Sequence, residues 1–148
     1  MLTDVQLRSA SHFDWEQVVA LLERCRLPAA DVVDIIENFH VALCDGHIVG
    51  CAAAEHHEES ILIRSVAVEP EYRERGIASR LVEALLMRAR GTEARDAYLL
   101  STVAPAYFAR WGFSLIPAEE APPPEVKASS AFQRAIQTSA LCMRCELR

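Results

Sequence analysis

Residues Val66 to Ser79, Val-Ala-Val-Glu-Pro-Glu-Tyr-Arg-Glu-Arg-Gly-Ile-Ala-Ser, join an apolar strand to a helix through a glycine-bearing turn, and this junction limits the folds open to the chain. Leu62 to Val68 is a short apolar run with three β-branched members, and Pro70 stops it. A helical period follows at Ile77, Leu81, Leu85 and Met87 to Ala89. A helix start has backbone N–H groups without intrahelical partners and carries positive potential, so it binds anions. Gly76 lets a ligand approach the backbone, and Arg73, Arg75 and Arg80 add positive charge. The spacing matches neither a dinucleotide GxGxxG nor a P-loop.

A second segment narrows the reading. A strand predicted over Asp96 to Thr102 leads into Ala104-Pro-Ala-Tyr-Phe-Ala-Arg-Trp-Gly-Phe113. The pattern Arg73-x-x-Gly76-x-Ala78 behind Val-Ala-Val and Pro resembles the acyl-CoA motif of the GNAT superfamily of N-acetyltransferases. The later segment resembles that family's Asn-x-x-Ala-x-x-Phe-Tyr-x-x-x-Gly-Phe stretch. Strand lengths and order extend the resemblance over nearly the whole chain. It implies a mixed α+β fold, with a twisted, mostly antiparallel sheet of about seven strands flanked by about four helices, and a splayed central strand pair that binds acyl-CoA.

With 148 residues the chain has one domain's length, taken as 1–148, and 51% of it is apolar. No run is long enough to span a membrane, and Met1 to Arg8 lacks the pattern of a signal peptide. A cytoplasmic protein is therefore expected. The net charge of −6 argues against a general nucleic-acid or anionic-membrane surface. Five cysteines, an odd number in apolar contexts, read as reduced thiols. Cys142 and Cys145 have C-x-x-C spacing but fall in a predicted terminal strand, where residues three apart face opposite sides, so no metal is expected.

The remaining elements follow from periodicity and punctuation. Val5 to Ser9 reads as a strand, and Asp14 opens a helix to about Arg26 with Val18, Val19, Leu21, Leu22 and Cys25 inward. A short helix over Asp31 to Glu37 follows Pro28. Phe39 to Cys44 and Ile48 to His56 flank the hairpin signal Asp45-Gly46-His47. Glu55 to Glu59 reads as the next turn, Ile61 to Val68 as the central strand, Pro117 to Ser130 as a loop, and Ala140 to Leu147 as the last strand.

The resemblance implies acetyl-CoA as co-substrate. The backbone of Val66, Ala67 and Val68 would pair with the pantetheine arm, and amides from Arg73 through Glu74, Arg75, Gly76, Ile77, Ala78 and Ser79 would wrap the pyrophosphate. Ser101 and Phe108 would complete the cofactor contacts. Many relatives carry a glutamate base where this chain has Leu62, a tyrosine acid where it has Phe108 beside Tyr107, and an asparagine where it has Ser101. Ser101 and Thr102 could hydrogen-bond pantetheine or shuttle a proton, and Tyr107 is a catalytic candidate or else an aromatic packed on the sheet. Glu55, His56 and His57 are further candidates for a base, or else a solvated turn. Without a base at 62 an amine of lower pKa or a water-linked base is favoured, since freeing a lysine-like amine at neutral pH costs about 4 kcal/mol against about 1 for an α-amine.

Arg64 interrupts the apolar central strand, on the same face as Leu62, Val66 and Val68 by alternation, where a bare charge is expensive. It either pairs with an acidic side chain or meets an anionic group of the ligand, and is carried as a catalytic and acceptor-site candidate. The segments Tyr98 to Thr102 and Phe132 to Met143 are similar to the acetyltransferase domain of N-acetylglutamate synthases, and more so to stand-alone arsenic-resistance-associated acetyltransferases. That similarity implies a carboxylate-bearing small-molecule amine as acceptor, with Arg134 as a carboxylate contact. Phe39, with Leu27 and Ile35, is an acceptor-pocket candidate or simply core. The reaction expected is direct attack of the amine on the thioester, with a homodimer left open. The rivals are an acetyl-CoA-binding module with little or no turnover and a protein N-terminal or lysine acetyltransferase.

Overall fold

Asp45 and Gly46 take left-handed φ values of 51° and 80°, the conformation of a two-residue hairpin turn, and they join β2 (Phe39–Cys44) to β3 (His47–His57). The computed structural model describes residues 4–101, 106–116, 122–136 and 141–147. The other strands are β1 (Val5–Ser9), β4 (Ser60–Val68), β5 (Asp96–Ser101), β6 (Ser114–Leu115) and β7 (Leu141–Glu146). They form a seven-stranded sheet in the order β1-β2-β3-β4-β5-β7-β6. The helices are α1 (Trp15–Arg24), α2 (Val32–Ile35), α3 (Ile77–Arg90), α4 (Ala106–Ala109), α5 (Pro124–Lys127) and α6 (Ser130–Ile136). The architecture is the mixed α+β arrangement expected from the sequence. The chain divides into two compact units, Met1–Ala54 with Ser65–Leu85, and Glu55–Arg64 with Leu86–Arg148.

In the first unit β1 pairs antiparallel with β2 and β2 with β3. Val18, Leu21 and Leu22 of α1 are fully enclosed and pack with Phe39, Val41, Cys51 and Ala67, while Val19 and Cys25 are only partly covered. The helix opens after Asp14 as expected, behind a 3-10 turn over His12–Asp14, but ends earlier, at Arg24, and Arg26 has a left-handed φ of 60°. Asp14 accepts from the Ser11 amide at 2.7 Å and from Arg8 at 2.7 and 3.1 Å, holding that turn against β1. The helix predicted over Asp31 to Glu37 resolves into α2 and a 3-10 turn, Ile36–Asn38. Gly50 of β3 lies under α3: a Cβ built there would meet Ile77 Cγ2 at 3.0 Å and Leu81 Cδ1 at 3.2 Å.

In the second unit β4 pairs in parallel with β5 from Ser60↔Asp96 to Ile63↔Leu99, and β7 lies antiparallel to β5 and β6. Leu62, Tyr98, Val126 and Phe132 form its apolar cluster. Three elements differ from expectation. The turn read at Glu55 to Glu59 contracts to two residues, since β3 runs on to His57. The stretch read as a loop to Ser130 contains α5, begun at a proline where an amide donor is dispensable. On α3, Met87 is exposed at 70%, and Val82 and Leu86 are buried instead.

Candidate active site

The strand-to-helix junction is built from two backbone irregularities. Ser65 has φ 56° in the middle of β4, a left-handed residue that breaks the strand's alternation. The simple alternation expected from Leu62 through Arg64 to Val68 is interrupted at this residue. The Cys51 thiol donates to the Ser65 carbonyl at 3.4 Å. Burial raises the Cys51 pKa to about 12, so the sulfur keeps its proton and remains a donor. Beyond this kink Val66 is half-buried, and Ala67 and Val68 are buried.

The second irregularity is the turn itself. Glu74 has φ 64° and Gly76 φ 78°, with Arg75 outside the left-handed region between them. Left-handed residues alternating with right-handed ones turn successive N–H groups toward one point, a concavity suited to anions. α3 begins at Ile77, and its first helical bond runs from the Arg80 amide to the Gly76 carbonyl at 3.1 Å. The amides of Ile77, Ala78 and Ser79 thus belong to the turn that has no intrahelical acceptors. A Cβ on Gly76 would meet nothing within 4 Å, which leaves room for a bulky ligand above it.

The arginines divide their duties. Arg73 Nε donates to the Val68 carbonyl at 2.9 Å and its Nη2 approaches Cys25 Sγ at 3.6 Å, binding the turn to the strand end. Arg80 Nη1 donates to the Val5 carbonyl at 3.2 Å. Arg75 is exposed, with its guanidinium 5.3 Å from the Tyr72 ring centre. Arg24 and Glu69 add an ion pair at 2.7 Å, and the Glu69 amide donates to the Val49 carbonyl at 2.8 Å.

Arg64 meets a carboxylate, the first of the two partners its sequence context allowed. Its Nη1 lies 2.5 Å from Glu55 Oε2, and Glu55 Oε1 lies 2.9 Å from His57 Nε2. Sequence reading placed Glu55 and His57 in a turn; they stand instead on β3, with side chains 14% and 22% exposed. The alternating Glu55-x-His57 ahead of a central-strand arginine is the signal that could have found the cluster. His56 points elsewhere in charge terms: burial lowers its pKa first, then Arg88 and His57.

Phe39 is fully enclosed in the apolar core of its unit, so its side chain serves packing rather than an acceptor pocket. Leu27 lines a cavity of about 390 Å³ with Trp15, Val19, Glu23 and Val33. Phe108 is 9% exposed and packs at a 50° tilt against Trp111, ring centres 5.6 Å apart. Ser101 closes β5 opposite Leu141, Tyr107 lies in α4, and Arg134 lies in α6. Thr102 falls outside the described residues. All five cysteines are free. Among the described residues no cluster of three metal-ligating side chains occurs, and no helix is long and apolar enough to cross a membrane.

A kinked central strand that ends in a glycine turn at a helix start has the geometry that suits an anionic group. Residues 36–115 match the family model described as an acetyltransferase (GNAT) domain, and the chain belongs to that family, whose members are N-acetyltransferases. The amino-acid acetyltransferase of Actinobacillus pleuropneumoniae serotype 3 is 30% identical over 89 residues, 59% of this chain. The chain spans only 20% of that relative's length. N-acetylglutamate synthase from Neisseria gonorrhoeae, solved with coenzyme A and N-acetyl-glutamate, superposes with TM-score 0.82 at 24% identity, over 100% of this chain and 36% of its own. Rv2747 from Mycobacterium tuberculosis, solved with CoA and NLQ, gives TM-score 0.80 at 20% identity over 97% of this chain and 99% of its own. At such identities the structural likeness is one of fold.

Proposed function

We propose that the protein transfers the acetyl group of acetyl-CoA directly to the amine of a small, amino-acid-like substrate, within a single catalytic domain spanning 1–148. The observation that carries this reading is the pair of left-handed residues, Glu74 and Gly76, at the start of α3, because a glycine turn leading into the unpaired amides of a helix start suits a pyrophosphate. Acetyl-CoA is the substrate that brings such a group together with the chemistry of the family. The names of the relatives favour an amino acid as acceptor.

In this reading the amides from Arg73 to Ser79 hold the diphosphate, and the backbone of Val66 to Val68 lines the pantetheine arm. Ser101 and Phe108 complete the cofactor contacts. The amine attacks the thioester carbonyl carbon, the C–N bond forms, the C–S bond breaks, and the thiolate leaves with a proton. Tyr107 is not assigned as sole acid, since its neighbour Phe108 holds the position where relatives carry a tyrosine. With Arg64 engaged by Glu55, the cation proposed for the acceptor's carboxylate is Arg134. Five free thiols suit a reducing compartment, and the cytoplasm is the proposed location.

The test is release of free CoA thiol from acetyl-CoA against a panel of amino acids and their amides. Turnover with a carboxylate-bearing amine, weakened in its amide, is the expected result. Equal rates on cationic peptides would contradict the acceptor class, and binding without turnover would contradict the enzyme.

A further inference from the structure

Two thiols bond to the bent part of β4, and all the groups involved lie in one compact unit, Met1–Ala54 with Ser65–Leu85. Cys51 on β3 is fully buried; its thiol donates to the Ser65 carbonyl at 3.4 Å, and the Ala67 amide donates to the same sulfur. Cys25, the residue that caps α1, donates to the Val68 carbonyl at 3.7 Å. Arg73 Nε donates to that carbonyl at 2.9 Å, and its Nη2 lies 3.6 Å from Cys25 Sγ. Just past the bend, main chain bonds main chain, from the Glu69 amide to the Val49 carbonyl at 2.8 Å.

A left-handed φ of 56° is disfavoured for a serine, so the bend at Ser65 persists only where contacts hold it. A thiol is a weak donor and a weak acceptor at one atom, and the Cys51 sulfur uses both to fix the two peptide groups that flank Val66. Cys25 and Arg73 fix the peptide group that follows Val68. We propose that Cys51 is a positioning residue for the cofactor: with Cys25 holding the far end, it sets the direction in which Val66 to Val68 presents its main-chain groups to the pantetheine arm of acetyl-CoA. The assignment rests on the reading above, in which that segment lines the arm. An amide-bearing arm that lies along a strand binds best when the strand's own groups are already oriented, because every group ordered on binding costs affinity. In the same reading the diphosphate is held at the turn from Arg73 to Ser79, so loss of the Cys51 bonds is felt by the arm and not by the diphosphate.

The experiment titrates two ligands, acetyl-CoA and ADP, which has the diphosphate without the arm, into the wild type, Cys51→Val, Cys51→Ser and Cys51→Val combined with Ser65→Gly. All titrations are made below the melting transition of every variant. Valine fills a similar space with no donor or acceptor, so acetyl-CoA affinity should fall about 10-fold while ADP affinity stays within about twofold. Cys51→Ala, which cannot clash, is read in the same way. Serine keeps a donor and an acceptor on one atom and should bind acetyl-CoA within about threefold of the wild type. Glycine enters the left-handed region unaided, so adding Ser65→Gly should bring Cys51→Val back to within about threefold. A cysteine that merely fills space would weaken both ligands equally. That result, unchanged acetyl-CoA affinity in Cys51→Val and Cys51→Ala, or no recovery with Ser65→Gly would overturn the assignment. A wild type that binds neither ligand would overturn the cofactor reading itself, and this assignment with it.

Discussion

Glu74 and Gly76, with one residue between them, both hold left-handed backbones, at φ 64° and 78°, immediately before the first residue of α3. For glycine that conformation costs nothing special, whereas for a glutamate it costs about 1 kcal/mol or more. The turn therefore keeps a strained residue at the place where amide directions matter for an anion.

If conformation at position 74 is what the ligand needs, its side chain should be dispensable. Glu74→Gly keeps the left-handed region open and should bind acetyl-CoA as tightly as the wild type or better. Glu74→Pro fixes φ near −65° and should weaken binding by at least about 1.4 kcal/mol, tenfold in Kd. Calorimetric titration of the two variants reads the difference; equal affinities would show that the turn's geometry is irrelevant.

The approach of α3 to β3 depends on Gly50, whose Cβ would stand 3.0 Å from Ile77 Cγ2. Gly50→Ala should destabilise the protein by about 1 to 3 kcal/mol, as overpacking does. Combining it with Ile77→Ala, which removes Cγ2, should recover part of the loss, visible in urea midpoints as non-additivity. Additive effects would mean that the close contact carries no strain.

Hydrogen bonding from Arg8 holds the Asp14 pKa below its ordinary value, with the Ser11 amide adding to it. A depressed carboxylate pKa gives stability that is fully present above the unfolded value, about 3.9, and lost as pH falls through the lower folded value. Asp14→Asn should lower the melting temperature at pH 7, and the gap to wild type should close between about pH 5 and pH 2. A gap that stays constant with pH would assign the effect to packing.

The strand Phe39–Cys44 and the Asp45-Gly46 turn were legible because alternation and an asparagine-like turn pair with glycine are local signals. So was the glycine turn before α3. Ser65 and Glu74 were not, since a serine or glutamate in the left-handed region is held there by contacts such as Cys51 to the Ser65 carbonyl, and no local composition marks it. α5 was hidden because three consecutive prolines read as loop, although a proline is well placed at a helix start. Met87 read as buried on a loose apolar period, while the face that packs uses Val82 and Leu86. Arg64's need for a partner was visible in an apolar strand; the partner itself was not, because Glu55 and His57 look like a charged turn until β3 is seen to extend through them.

The central claim is that acetyl-CoA is held by the amides at the start of α3. It is tested most directly by isothermal titration of acetyl-CoA into Gly76→Glu beside the wild type, with far-UV circular dichroism to follow the fold. A glutamate there meets no protein atom at its Cβ, so the chain should fold with a modest loss of stability from the left-handed backbone. Its carboxylate would project into the anion's place, and binding should fall by at least about 100-fold, near 2.7 kcal/mol. A folded Gly76→Glu protein that binds acetyl-CoA with wild-type affinity would contradict the account.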